Sequence, residues 1–443
     1  MSAATPPATA PAATGGPLGG PATALMPAPT GTPAGTAART REVLSPLRRT
    51  PGRMRLLGAL AALAMLAIGV IGLTTGLAQA RSLDSAVAGS AQLLGTQDVR
   101  NQLVSADAAA TSAFLVGGLE PAASREAYER YVAAAASGLP FLAGDSARSD
   151  LFGDVSADLA VYTGLVEQAR ANNRQGFPVG TAYLEQASTE LRSEMLPAMD
   201  EVASDEADLV EDDYAAIGAT DAIVWVGLLA VVVLIVILVW FSRRTHRVLN
   251  AGLLVATVLA VVSVWLGAVS FAGVASKAID VQSSSAATAT ATSRALADAT
   301  DAKSMESFTL IKRGSGQAFE EEYQSDVSAA RRQLVSVGND EVLALLDAWD
   351  GAHAQIRAQD DSGDWDGAVA LATSTDPGSS NALFEDLRVG AASSIADSAG
   401  TAGDDLRELR STSTITGWAL LVAGLVGAIA SIRGVNARLR EYR

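Results

Sequence analysis

The chain has 443 residues, 49% of them apolar but only 5% aromatic, with a net charge of −16, no cysteine and two histidines, His246 and His353. That composition excludes disulfides and thiolate chemistry, and it leaves almost no raw material for a histidine metal cluster or a catalytic triad. The charge is sorted: residues 81–221 carry −15, residues 274–413 carry −12, and the remainder carries +11. Such sorting marks a membrane protein, and it argues against nucleic acid as a partner of the acidic stretches.

Residues 1–55 are a cytosolic tail. Its Pro/Ala/Gly/Thr tract cannot bury enough surface to offset chain entropy and is expected to be disordered. It turns basic from Arg39 to Arg55, which keeps the N-terminus inside. Ser45-Pro46 and Thr50-Pro51 lie in this flank, either as phosphorylation sites or as part of a solvated tail. Residues 56–80 form the first membrane segment. It ends in Ala78-Gln79-Ala80, a signal-peptidase-like tripeptide, but the apolar run is longer than a signal core and reads as an uncleaved anchor.

Residues 81–222 show helical periodicity four times, with breaks at Gly117-Gly118, Gly144-Asp145 and Gly176 to Gly180. The clearest stripe is Val155, Leu159, Tyr162, Val166 and Ala169, whose spacing is that of a bundle seam. The fourth stripe, Tyr183 to Val202, is expected to run on into Ile223. Residues 223–241 and 251–273 are long and apolar enough to span a bilayer. The turn between them, 242–250, holds Arg243, Arg244, His246 and Arg247 with no acid, so it belongs on the cytosolic side. Its three arginines are either a topology anchor or a contact for a cytosolic partner.

Residues 274–413 repeat the pattern, with stripes Phe319 to Val337 and Val342 to Ile356 and a last helix that is kinked or starts late near Asp376-Pro377-Gly378. Residues 414–432 are the fourth membrane segment, and a basic tail, 433–443, follows inside. The expected fold is an all-α membrane protein with four transmembrane helices and two extracytoplasmic antiparallel four-helix bundles.

The two halves match in register. Arg100, Asp107 and Phe114 recur as Arg294, Asp301 and Phe308 at an offset of 194, and Tyr162, Arg170 and Gly176 recur as Trp349, Arg357 and Gly363 at an offset of 187. An internal duplication follows, giving a pseudo-dimer within one chain with its axis along the membrane normal.

No phosphate loop, metal spacing or nucleophile–base pair is present, so neither enzyme activity nor a cofactor is expected. The apolar segments hold no charge at mid-depth, which argues against a transporter. The repeated Arg100/Asp107 and Arg294/Asp301 are the ligand candidates. Seven residues apart, each Arg and Asp share a helix face, and an arginine there can fork onto a carboxylate ligand. The alternative is a surface ion pair or an inter-helix tether. His353 takes the seam position matching Val166, as a partly buried structural histidine or a pH sensor.

Each acidic stretch, flanked by two membrane helices, looks like the four-helix-bundle sensor of bacterial chemoreceptors and sensor kinases. The run from Tyr162 through Gly164-Leu165-Val166-Glu167-Gln168-Ala169-Arg170 to Asn173-Arg174-Gln175-Gly176 is similar to the third-helix-and-turn motif of those modules. No HAMP linker, methylation helix or kinase follows Ile432. The whole arrangement resembles the GlnX family of actinobacterial membrane sensors. That resemblance implies a solute-binding lipoprotein of the GlnH type outside, a soluble Ser/Thr kinase of the protein kinase G type inside, and aspartate or glutamate as the solute, sensed directly or through the lipoprotein. The alternative function is a non-enzymatic envelope scaffold or adhesion protein.

Overall fold

The computed structural model of the protein describes residues 50–116, 120–146, 148–176, 178–219, 221–245 and 250–441. The N-terminal tract with Ser45, the Gly117-Gly118 break, His246 and Arg247 lie outside the described residues. Among the described residues every regular element is helical. Met54–Arg443 forms one compact unit.

Helix α1 runs without a break from Thr50 to Leu115. Helices α2 (Ala122–Asp145) and α3 (Ser149–Arg174) follow. Then come α4 (Val179–Glu190), a π-helical turn (Leu191–Met195) and α5 (Leu196–Ile217). The apolar α6 spans Asp221–Thr245. In the second half, α7 (Ala251–Val281) passes through a π-helical turn (Gln282–Ala286) into α8 (Ala287–Ile311). Helices α9 (Gln317–Ser336), α10 (Asp340–Asp361) and the short α11 (Trp365–Thr373) lead to α12, Ser380–Glu441.

Starts and stops follow local chemistry. Asn250, Asn339 and Asp364 cap α7, α10 and α11 by accepting the backbone N–H three residues on. Gly338 and Gly363 end α9 and α10 with φ of +65° and +90°, a region that costs other residues energy. Two expectations need correction. The fourth stripe does not run into Ile223, because the helix closes at Gly218 and a new one opens at Asp221. The break near Pro377 is a late start, since α12 begins at Ser380 after the separate α11.

Stretches within Gly52–Leu115, Val179–Arg243, Ala251–Ile311 and Ser380–Arg440 are long and apolar enough to cross a membrane, which fits a membrane protein. Trp225, Trp265 and Trp418 are more than half exposed on the apolar helices, beside outward-facing Leu229, Val236, Leu266 and Val422. Such an outward apolar surface suits lipid. Inside, glycines bring backbones together. A Cβ on Gly76 would lie 2.6 Å from the Ser413 carbonyl, one on Gly424 2.7 Å from that of Met65, and one on Gly252 2.5 Å from that of Ala430. α12 thus packs closely on both α1 and α7, as small residues allow in membranes.

Beyond the apolar segments, α2 returns along α1: Gly95 faces Leu142 and Gly138 faces Val99. The α4–α5 rod also runs antiparallel to α1, with Thr96 bonded to Glu206 and Arg100 to Asp200. The predicted stripes are buried at Val155, Leu159, Tyr162, Val166 and Ala169, and in the second half at Tyr323, Val327, Ala330 and Leu334, while their end positions Tyr183, Phe319 and Val337 are half-buried. One core joins both halves, since Leu103, Tyr162 and Met195 share a cluster with Phe308, Tyr323 and Trp349.

Candidate functional site: a polar seam between the halves

Helices α1 and α8 lie side by side in the same direction. Asn101 donates to the Ser293 carbonyl and hydroxyl, one step from Arg100 and Arg294. Farther along, Asp107 and Asp301 meet the same side chain, Arg192. The four repeated residues are therefore brought together in an unexpected pairing: arginine with arginine, aspartate with aspartate. Within each helix the Arg and Asp do not bond each other.

Arg192 lies in the π-helical turn of the α4–α5 rod. The turn has a physical role. The buried stripe Ala187, Leu191, Met195, Met199 steps by four, which exceeds the 3.6-residue turn of an α-helix. A widened turn absorbs the extra residue and keeps the stripe inward. It also directs Arg192 across the seam. Its Nη2 donates to Asp107 at 3.2 Å and to Asp301 at 2.6 Å, and its Nε to Asp301 at 3.1 Å. Asp107 is fully buried and also accepts from the Ser188 hydroxyl at 2.5 Å and the Tyr162 hydroxyl at 3.4 Å. Burial works against the Arg192 charge, but Asp301 and Asp107 outweigh it and raise its pKa.

Arg100 and Arg294 line a single cavity of about 200 Å³ with Gln97, Asp200, Asp298 and Gln333. Arg100 is tethered to Asp200 at 2.8 Å, whereas Arg294 is exposed and makes no ion pair among the described residues. Gln97 is 4% exposed, and neither its amide nitrogen nor its oxygen has a protein partner. Buried amides left unpaired are costly, so this wall is built to take a polar group. Burial lifts the Asp298 carboxyl to about 6, with Arg100 pulling the other way. Next to it, burial together with Asp301 and Glu322 lifts Asp326 to about 8.

A second buried cluster holds the start of α12. Ser380, at its first turn, accepts from the Trp349 indole and from Lys303 and donates to Glu306. Lys303 also pairs with Glu306 at 2.5 Å. His353 is 2% exposed, not partly buried as expected; it bridges Glu306 at 3.2 Å and Glu320 at 3.0 Å and stacks on Tyr323. Burial opposes its charge, but the bonds to the two glutamates win and raise its pKa. Burial likewise opposes the Glu306 charge, and Lys303 and His353 overcome it, bringing the carboxyl down to about 2.

Between the acidic regions and the apolar helices sits Gln79. It is 3% exposed, and its amide donates to the carbonyls of Ile217 and Phe271 while its oxygen accepts from the Ser413 hydroxyl. One side chain on α1 thus joins α5, α7 and α12. The tripeptide that resembles a peptidase site is helical, with Gln79 and Ala80 buried. Of the three arginines read as a topology anchor or a cytosolic contact, Arg243 is exposed near the end of α6, Arg244 lies in its last turn, and Arg247 lies outside the described residues.

Residues 82–215 match the family model of the actinobacterial sensor domain. The sensor domain spans the C-terminal half of α1, α2, α3 and most of the α4–α5 rod, so it holds Gln97, Arg100, Asp107 and Arg192. The match supports an actinobacterial sensor and fits an envelope location. No curated protein and no solved structure matches the chain. Gln97, Asp298, Gln333 and Arg192 escaped the sequence reading. Only a register comparison of α1 with α8 could have found Asp298, which stands one turn from Arg294.

Proposed function

We propose that the chain is a transmembrane signal relay of the GlnX type, in which two extracytoplasmic four-helix bundles, derived from a duplication, sense a solute and regulate a cytosolic Ser/Thr kinase. The observation that carries this reading is the convergence of Arg100 and Arg294, one from each half, on one cavity beside a sensor domain. Two guanidiniums on paired helices suit an anionic group that draws the halves together. The solute is aspartate or glutamate, met directly in the seam or handed on by a solute-binding lipoprotein. Helix α1 continues unbroken from the seam into its apolar segment, and α8 continues into α7 through a π-helical turn. A small shift of α1 against α8 passes along these rods as a piston or rotation. Arg243, Arg244 and Arg247, with the basic C-terminal tail, are the kinase-facing contacts.

The test is a response in native cells. Deleting the gene is expected to abolish the change in kinase output that external aspartate or glutamate provokes, and Arg100→Gln with Arg294→Gln is expected to blunt it while the protein still inserts. Unchanged kinase output on deletion sinks the relay and favours an envelope scaffold. A full response in the double variant moves sensing to the lipoprotein.

A further inference from the structure

Arg170 and Arg357 stand 187 residues apart, at the offset that relates Tyr162 to Trp349. Around Arg357 three carboxylates gather: Asp360 and Asp361 at 2.7 Å, and Glu320 at 3.5 Å. The same offset puts Asn173 and Arg174 where the second half has Asp360 and Asp361, and the 195-residue offset of Tyr128 and Tyr323 puts Arg125 where it has Glu320. All three acids are replaced, two of them by arginine.

Arg170 keeps a place of its own. It is 7% exposed, lies 4.2 Å over the Tyr128 ring, and pairs with Glu167 at 2.7 Å and Glu120 at 2.8 Å. The added cations are less well served. Arg125 reaches Glu120, Glu167 and Glu129 only at 3.5, 3.6 and 3.9 Å, and exposed Arg174 makes no ion pair among the described residues. A cavity of about 260 Å³ lies between the three arginines, Glu120 and Asn173, with Phe114 in its apolar wall. The surrounding stretch carries −15, so three guanidiniums on one cavity run against its composition.

We propose that this cavity binds a small free organic carboxylate, held by Arg125 and Arg174 with its short apolar part against Phe114. The second half supplies the chemical argument. There the positions matching Arg125, Asn173 and Arg174 are carboxylates of the chain that close on the arginine; in the first half Glu120 and Glu167 serve Arg170 from other positions, and Arg125 and Arg174 face the space. Forked guanidinium–carboxylate contacts are strong and directional, and Arg170, locked by Glu120 and Glu167, fixes the wall against which a ligand docks. The site is separate from the seam and does not depend on the relay reading.

Calorimetric titration of the full chain in lipid nanodiscs tests it, with succinate and propionate as probes and the diamine putrescine as the cationic control. Saturable carboxylate binding is expected, with none for putrescine. Arg174→Asp, which restores the acid of the second half, is expected to weaken binding by about tenfold or more. Arg125→Gln and Arg174→Gln, each checked for native helicity, give the same answer if Arg174→Asp misfolds. No saturable binding of either carboxylate overturns the proposal. So does binding that survives all three variants and disappears in Arg294→Gln, which places the anion in the seam.

Discussion

Asp107 and Asp301, 194 residues apart and on different halves, share the guanidinium of Arg192. Each stripe of apolar residues can be filled by many side chains, but the buried carboxylate of Asp107 and the half-buried one of Asp301 need this one cation. The contact therefore fixes how the first half registers on the second. Arg192→Gln leaves both acids without a counter-charge. It is expected to destabilise the protein by about 3–5 kcal/mol, the usual cost of breaking a buried pair from one side. Thermal melts of the variant and of Arg192→Gln with Asp107→Asn and Asp301→Asn check this: removing the acids should restore part of the loss.

The seam should loosen as pH rises. Asp326 is lifted from 3.8 to about 8 and Asp298 from 3.8 to about 6, chiefly by burial. A carboxyl whose folded pKa is raised stabilises fully below its unfolded value and loses that contribution as pH climbs through the folded one. The window is therefore about pH 4 to 8. Asp326→Asn should raise the melting midpoint at pH 8 and leave it unchanged at pH 4. Equal effects at both values would contradict the assignment.

The cluster at the start of α12 runs on two limits. The His353 contribution is complete below 6.5 and is lost as pH rises through its raised folded value. The Glu306 contribution is complete above 4.5 and is lost as pH falls through about 2. Between about 4.5 and 6.5 both are present. His353→Gln removes the cation between Glu306 and Glu320 and should cost about 2–4 kcal/mol near pH 6. The cost should shrink at alkaline pH, where the wild type has already lost the charge. Hydrogen exchange of the first turn of α12, read across pH, measures it.

Gln79 is expected to matter for coupling more than for insertion. Gln79→Leu keeps the volume but strips three hydrogen bonds and leaves the Ser413 hydroxyl without this partner. A loss of about 1–3 kcal/mol follows. Independent melting of the apolar helices and the sensor domain, seen as two transitions in place of one, is the readout. Gln79→Glu, which sets a buried carboxylate against the carbonyls of Ile217 and Phe271, should cost more than Gln79→Leu at neutral pH.

The elements of the fold were legible because periodicity and turn chemistry are local. Tyr162, Val166 and Ala169 are buried as their spacing requires, and Gly338 and Gly363 turn where the stripes stop. The seam was less legible. Seven-residue spacing tells which residues share one helix face and is silent on what that face meets: Arg100 shares a face with Asp107 in the sequence, yet it bonds Asp200 and borders a cavity with Arg294. Arg192 sits between the apolar positions Leu191 and Met195 and points into the seam from a π-helical turn, which has no sequence signature of its own. Gln79 was read as part of a cleavage-like tripeptide, yet its three partners lie 138 or more residues away.

On the proposed relay, events in the seam reach the far ends of the apolar helices. The chain has no cysteine, so reporter thiols can be placed at will. Phe241 and Val435 belong to one packed cluster at those ends, and Arg243→Cys with Arg433→Cys marks them for a flexible bis-maleimide. In membranes from native cells, aspartate or glutamate should change the rate of this cross-link, and Arg192→Gln should abolish the change without abolishing the cross-link. A cross-linking rate that is the same with and without either amino acid, in native membranes that retain the wild-type seam, would contradict the proposed relay.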